Sequence, residues 1–126
     1  MLPKLYKSVP CYDYVVLNSL ELVKSAKALN AKLFSLTRLQ LLSALYLLGG
    51  EYALYRDLKA SLALDDGVLI SNLLALKEMG CIEKKEVQVG KKKMDAYQIN
   101  DEGRAAFEKT RDWLSLFARE NGAVLK

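Results

Sequence analysis

The sequence predicts an α+β chain that is mostly helical, with one β-hairpin set between two helices. Three observations predict it. Apolar residues recur at helical spacing, as at Leu69, Leu73 and Leu76, which fall at i, i+4 and i+7. Ser35, Asp65 and Asn100 stand where helices would start, and Gly49-Gly50 and Gly80 where helices would stop. From Cys81 to Ile99 the helical period breaks. Two strand-like runs there flank a basic turn, Gly90-Lys91-Lys92-Lys93.

Taken in order, residues 1–12 read as an irregular arm, because Pro3 and Pro10 disfavour regular structure. Asp13 caps a first helix over 13–33, with a broad apolar stripe that includes Val15, Val16, Leu20, Leu22 and Val23. Ser35 caps the next helix, which runs to Leu48, and Phe34 and Leu39 hold the positions of a hydrophobic staple across that cap. Tyr52-Ala53-Leu54 is a very short strand, and Tyr55 to Leu62 a third helix. Ala63-Leu64 makes a turn and Asp65 caps a fourth helix that ends at Gly80. Strands over about 81–88 and 94–99 follow, with Val87, Val89, Tyr97 and Ile99 as apolar members. Asn100 then caps a last helix over 101–120, with Asp101 and Glu102 in its favourable first turn.

A chain of 126 residues with 52% hydrophobic content has enough apolar material for one core and reads as a single domain, 1–126. The net charge of +4 suits a polyanionic partner. With no histidine, there is no Ser-His or Cys-His pair for nucleophilic catalysis. No phosphate-binding glycine loop is present, and the paired carboxylates sit at helix starts, where capping accounts for them. The reading is therefore no enzyme, no catalytic residue and no cofactor. Cys11 and Cys81 lack metal-ligand spacing, so no metal site is expected, and both read as reduced thiols of a cytoplasmic chain. No signal-peptide pattern occurs, and the longest apolar block, Leu39 to Leu48, is too short to span a bilayer.

Helix, glycine stop, strand, lysine-tipped turn, strand and helix is the order of a winged helix-turn-helix. From Leu33 to about Trp113 the chain resembles the winged-helix transcriptional regulators of the MarR/PadR/ArsR superfamily, most of all the small prokaryotic and archaeal members. The resemblance is carried by Gly50-Glu51-Tyr52, Asp57-Leu58-Lys59, Asp66-Gly67, the Leu69/Leu73/Leu76 stripe, Glu78-x-Gly80, Val89-Gly90-Lys91, Tyr97-x-Ile99 and Glu102-Gly103-Arg104. It implies a winged-helix core over 34–100, a recognition helix over 65–79 in the major groove, a wing at 88–93 touching the DNA backbone or minor groove, and terminal helices (13–33 and 101–120) that form a homodimer.

The recognition helix departs from the family's habit. Opposite its buried stripe it carries Gly67, Ser71, Ala75 and Glu78, flanked by Val68, Ile70 and Leu74, with no arginine to read guanine. Gly67, Val68, Ser71 and Asn72 are its candidate DNA contacts. Arg56 and Lys59 on the third helix, and Lys91, Lys92 and Lys93 on the wing, are the candidate phosphate contacts. For the dimer the candidates are Val16, Leu20 and Val23 on the first helix and Thr110, Trp113, Leu114 and Phe117 on the last, whose apolar faces would otherwise stand exposed. The expected function is a homodimeric DNA-binding transcriptional regulator, cytoplasmic, with double-stranded DNA and a second copy as partners and no membrane contact. Two other readings stay open. One is a winged-helix protein-interaction module, with Val68, Ile70 and Leu74 docking a protein partner. The other is a weakly specific architectural DNA binder.

Overall fold

A computed structural model describes residues 14–122, and side-chain surroundings from Leu20 onward. The arm over 1–12, Cys11, the Asp13 cap and the side chains of Val15 and Val16 lie outside the described residues.

The elements are α1 (Tyr14–Ser25), α2 (Leu36–Leu47), β1 (Ala53–Leu54), α3 (Tyr55–Leu62), α4 (Asp66–Glu78), β2 (Ile82–Val89), β3 (Lys92–Ile99) and α5 (Asp101–Glu120). They fall into two compact units. One is Ala31–Phe107. The other joins the segment that ends at Asn30 to the segment that starts at Glu108.

The larger unit is built as its caps dictate. Ser35 Oγ accepts from Arg38 N at 3.1 Å and starts α2; Asp65 Oδ1 accepts from Val68 N at 2.9 Å and starts α4. Gly80, at φ +79°, closes α4 with two bonds: Gly80 N to Lys77 O and Cys81 N to Leu76 O, the pair that defines a Schellman stop. The turn between α3 and α4 passes through Ala63 in the left-handed region, φ 53° and ψ 42°. Leu41, Leu42 and Leu45 of α2 meet Leu69, Leu73 and Leu76 of α4 in a core that Leu58, Ile82, Tyr97 and Ile99 complete. Each of these leucines contributes roughly 1.5–3 kcal/mol through burial.

The sheet is antiparallel in the order β1-β3-β2. Pairing of Val89 with Lys92 leaves only Gly90 and Lys91 in the turn, and Gly90 at φ +63° is the residue a type II′ hairpin needs first. The hairpin is thus longer than the expected strands of 81–88 and 94–99. Lys92 and Lys93 belong to β3, not to the turn, because both faces of the outer hairpin are open to solvent and impose no apolar pattern. Val87 and Val89 also lie on the face opposite Ile82, Tyr97 and Ile99.

Asn100 starts α5 and ties it to the unit. Its side-chain oxygen accepts from Gly103 N at 2.8 Å, and its amide donates to Gly80 O at 2.8 Å. Gly103 packs on the Cys81 carbonyl so closely that a Cβ would stand 1.9 Å from the oxygen. Arg104 donates to Gly49 O at 3.1 Å, and Tyr46 and Phe107 rings pack at 4.7 Å.

In the smaller unit, the first helix is shorter than the expected 13–33. It ends at Ser25 and a 3-10 turn, Ala26–Ala28, follows; a second 3-10 turn, Ala31–Leu33, opens the larger unit. Ser25 Oγ folds back on Leu22 O at 2.7 Å, and Leu29 is extended at ψ 153°, which breaks the helical path. Trp113 Nε1 donates to Leu22 O and to Ser25 Oγ, both at 3.1 Å. Leu22, Thr110 and Leu116 are buried.

Candidate nucleic-acid interface

The larger unit presents three features on which a polyanion could bear: the exposed face of α4, the first turns of α3, and the tip of the β2–β3 hairpin. Capping and the Leu69/Leu73/Leu76 stripe fix the rotation of α4. That rotation leaves Gly67, Val68, Ile70, Ser71 and Leu74 exposed. A narrow groove of about 110 Å³ between α4 and the hairpin is lined by Ile70, Leu73, Leu74, Lys77, Lys84 and Tyr97. α4 and the β2–β3 hairpin therefore adjoin along one flank.

Several candidate cations are already engaged. Lys59 Nζ lies 3.1 Å from Asp66 Oδ1, and Arg56 Nε lies 3.7 Å from Asp57. The Tyr55 hydroxyl donates to the same Asp66 oxygen at 2.6 Å, which pushes its own pKa up to about 12. That bond, together with Lys59, holds the Asp66 carboxyl below the usual carboxylate range. The N-terminal turn of α4 thus carries a fixed negative charge, where a groove-reading helix gains from positive charge.

On the hairpin, Lys84 pairs with Asp95 at 3.5 Å and Lys93 with Glu86 at 4.0 Å; Lys85 stands 4.4 Å over the Tyr52 ring. Lys91 and Lys92 are exposed and have no carboxylate within ion-pair distance among the described residues. Exposed pairs such as Lys93–Glu86 are weak enough to exchange for a phosphate.

Asn72 is committed on both sides of its amide. Its Oδ1 accepts from Arg38 Nε at 3.0 Å and its Nδ2 donates to Val68 O at 2.8 Å. Sequence reasoning passed over Arg38, which sits 34 residues away in α2 and shows no local pattern. Cys81 is a packing residue: burial, and secondarily the Glu102 carboxylate, push its thiol pKa up.

In the smaller unit, Leu20, Val23, Leu114 and Phe117 are exposed, Val23 by 71% and Phe117 by 44%. Trp113 stacks on Phe117 at 5.2 Å with its indole N–H bound inside the unit. Thr110, expected at an interface, is 1% exposed and has no surface left for one. Beside Trp113 and Phe117 lies a groove of about 380 Å³, reaching Leu22, Val23 and Ala26. Among the described residues no helix is long and apolar enough to cross a membrane.

Helices α2, α3 and α4, followed by an antiparallel β2–β3 hairpin and the start of α5, define a helix-turn-helix with a wing. The chain belongs to the winged helix DNA-binding domain family, whose model matches residues 37–118. Among solved structures it is similar to a PadR family transcriptional regulator from Eggerthella lenta DSM 2243, with 22% identity, TM-score 0.57, 88% of this chain and 92% of that chain covered. It is also similar to an organohalide-sensing transcriptional regulator in its 2,4-dichlorophenol-bound form, with 14% identity, TM-score 0.60, 98% of this chain and 76% of that one covered. No curated protein matches the chain.

Proposed function

We propose that this protein is a homodimeric, cytoplasmic transcriptional regulator that binds double-stranded DNA through α4 and the hairpin wing. One observation carries the reading: within a winged helix DNA-binding domain, Lys91 and Lys92 stand unneutralised at the wing, on the hairpin that adjoins the exposed face of α4. Phosphate neutralisation is what such lysines offer a duplex. Ser71 and the Gly67 backbone offer polar contacts in the groove, and Val68, Ile70 and Leu74 suit thymine methyls. Because no arginine stands on α4 and Asp66 repels phosphate, affinity in this account comes mainly from the backbone and discrimination is modest. The regulators of similar fold support the regulatory role. Dimerisation would cover the exposed apolar residues of the smaller unit, which soluble monomers avoid leaving bare.

A second reading draws on α4 itself. Val68, Ile70 and Leu74 are 40%, 53% and 52% exposed beside an acidic helix start, a surface suited to a protein partner. Fluorescence anisotropy with two unrelated duplexes over a salt series separates the two. Binding that weakens steeply with salt supports the DNA reading; no binding at low salt favours the protein-docking surface.

A further inference from the structure

We infer that Arg38, on the first turn of α2, is a DNA-phosphate clamp that sets the recognition helix on the backbone. The inference rests on the DNA-binding reading and adds to it a residue outside both α4 and the wing.

Arg38 is held in place from two sides. Its Nε donates to Asn72 Oδ1 at 3.0 Å, and its Nη1 donates to the Lys32 carbonyl at 2.7 Å. Asn72 is in turn fixed on Val68 O, so the guanidinium is braced against the N-terminal half of α4, next to Ser71. These two bonds use two of the five guanidinium N–H groups. The remaining ones have no partner among the described residues, and no carboxylate lies within ion-pair distance of the group. The contrast with its neighbours decides the assignment. Lys59 is paired with Asp66 and Arg56 with Asp57, so those cations must break a contact before meeting DNA. Arg38 has only to donate its remaining N–H groups to the phosphate.

A guanidinium with a free edge, positioned beforehand, is the fork that a phosphate takes up bidentately. Both anchoring acceptors are neutral, so the positive charge remains whole. The same contact explains the commitment of Asn72, whose side-chain carbonyl orients Arg38 and is not offered to a base.

The test uses the full chain, two labelled duplexes of unrelated sequence, and Arg38→Gln and Arg38→Lys variants, with thermal melts to establish folding. Arg38→Gln should lose about tenfold in affinity at low salt on both duplexes. Its log K against log[salt] slope should fall in magnitude by about 0.9, one phosphate contact. Arg38→Lys should regain the slope, which a purely structural brace would not allow. A wild-type slope in Arg38→Gln overturns the clamp and leaves the DNA-binding reading standing. A loss confined to one duplex also overturns it, because that is base reading. If wild type binds neither duplex, the clamp and the DNA-binding reading fall together.

Discussion

The Lys59 ammonium lies 3.1 Å from the Asp66 carboxylate, so the first turn of α4 is anionic and one candidate phosphate contact is already paired with it. Removing the acid should therefore help DNA binding. Asp66→Asn frees Lys59 and should tighten binding to any duplex, steepening the salt slope by up to about 0.9. Anisotropy titrations read this directly. Weaker binding in Asp66→Asn would mean that the carboxylate serves the interface.

The same carboxylate controls a tyrosine. Tyr55 has its pKa raised from 10.0 to about 12, first by its hydrogen bond to Asp66. A raised folded-state value means that this bond stabilises the fold fully below pH 10.0 and is lost as pH rises toward about 12. Asp66 has the opposite sign: its lowered value adds stability above its ordinary 3.8, lost as pH falls below that. Asp66→Asn should bring the Tyr55 titration down toward the ordinary value. The tyrosinate absorbance of this variant, compared with Tyr55→Phe, measures the change. An unmoved transition would mean the hydrogen bond does not set it.

Gly103 is a packing requirement. A Cβ there would stand 1.9 Å from the Cys81 carbonyl oxygen, which is backbone and cannot swing aside. Gly103→Ala should cost about 3 kcal/mol or more in thermal or chemical unfolding. Gly50→Ala, with nothing within 4 Å of its added Cβ, is the control and should change stability by less than about 1 kcal/mol. Equal effects of the two substitutions would contradict the packing.

In the smaller unit, Phe117 and Val23 are the exposed apolar residues best placed to separate folding from association. Phe117→Glu should give monomers with the helical signal retained, read by sedimentation at micromolar concentration, because a charge would otherwise be buried at the interface. Trp113 is a poorer probe, since its indole N–H is bonded to Leu22 and Ser25 within the unit. A wild type that sediments as a well-folded monomer would sink the dimer.

Much of this fold was legible in the sequence because its punctuation is local. Ser35, Asp65 and Asn100 each bond a backbone N–H three residues on, and Gly80 closes α4 where a left-handed residue is needed. What stayed hidden depends on residues distant in sequence or on a lost pattern. The start of β3 at Lys92 does not show in the sequence because Lys91, Lys92 and Lys93 form one charged run with no apolar alternation to mark a strand. The end of α1 depends on Ser25 and Trp113, 88 residues apart. At the candidate interface, the pairing of Lys59 with Asp66 and the tether of Asn72 to Arg38 are tertiary facts. Neither composition nor helical spacing carries them.

If the wing lysines neutralise duplex phosphates, the salt dependence of binding shows it most directly. Wild type and the Lys91→Ala/Lys92→Ala double variant would be titrated against two unrelated duplexes over one salt series. Binding should weaken as salt rises. In the double variant the slope should be shallower by up to about 1.8, similarly on both duplexes. Lys93→Ala should do less, because Lys93 is paired with Glu86. Identical slopes for wild type and the double variant would mean that the wing lysines do not meet phosphate.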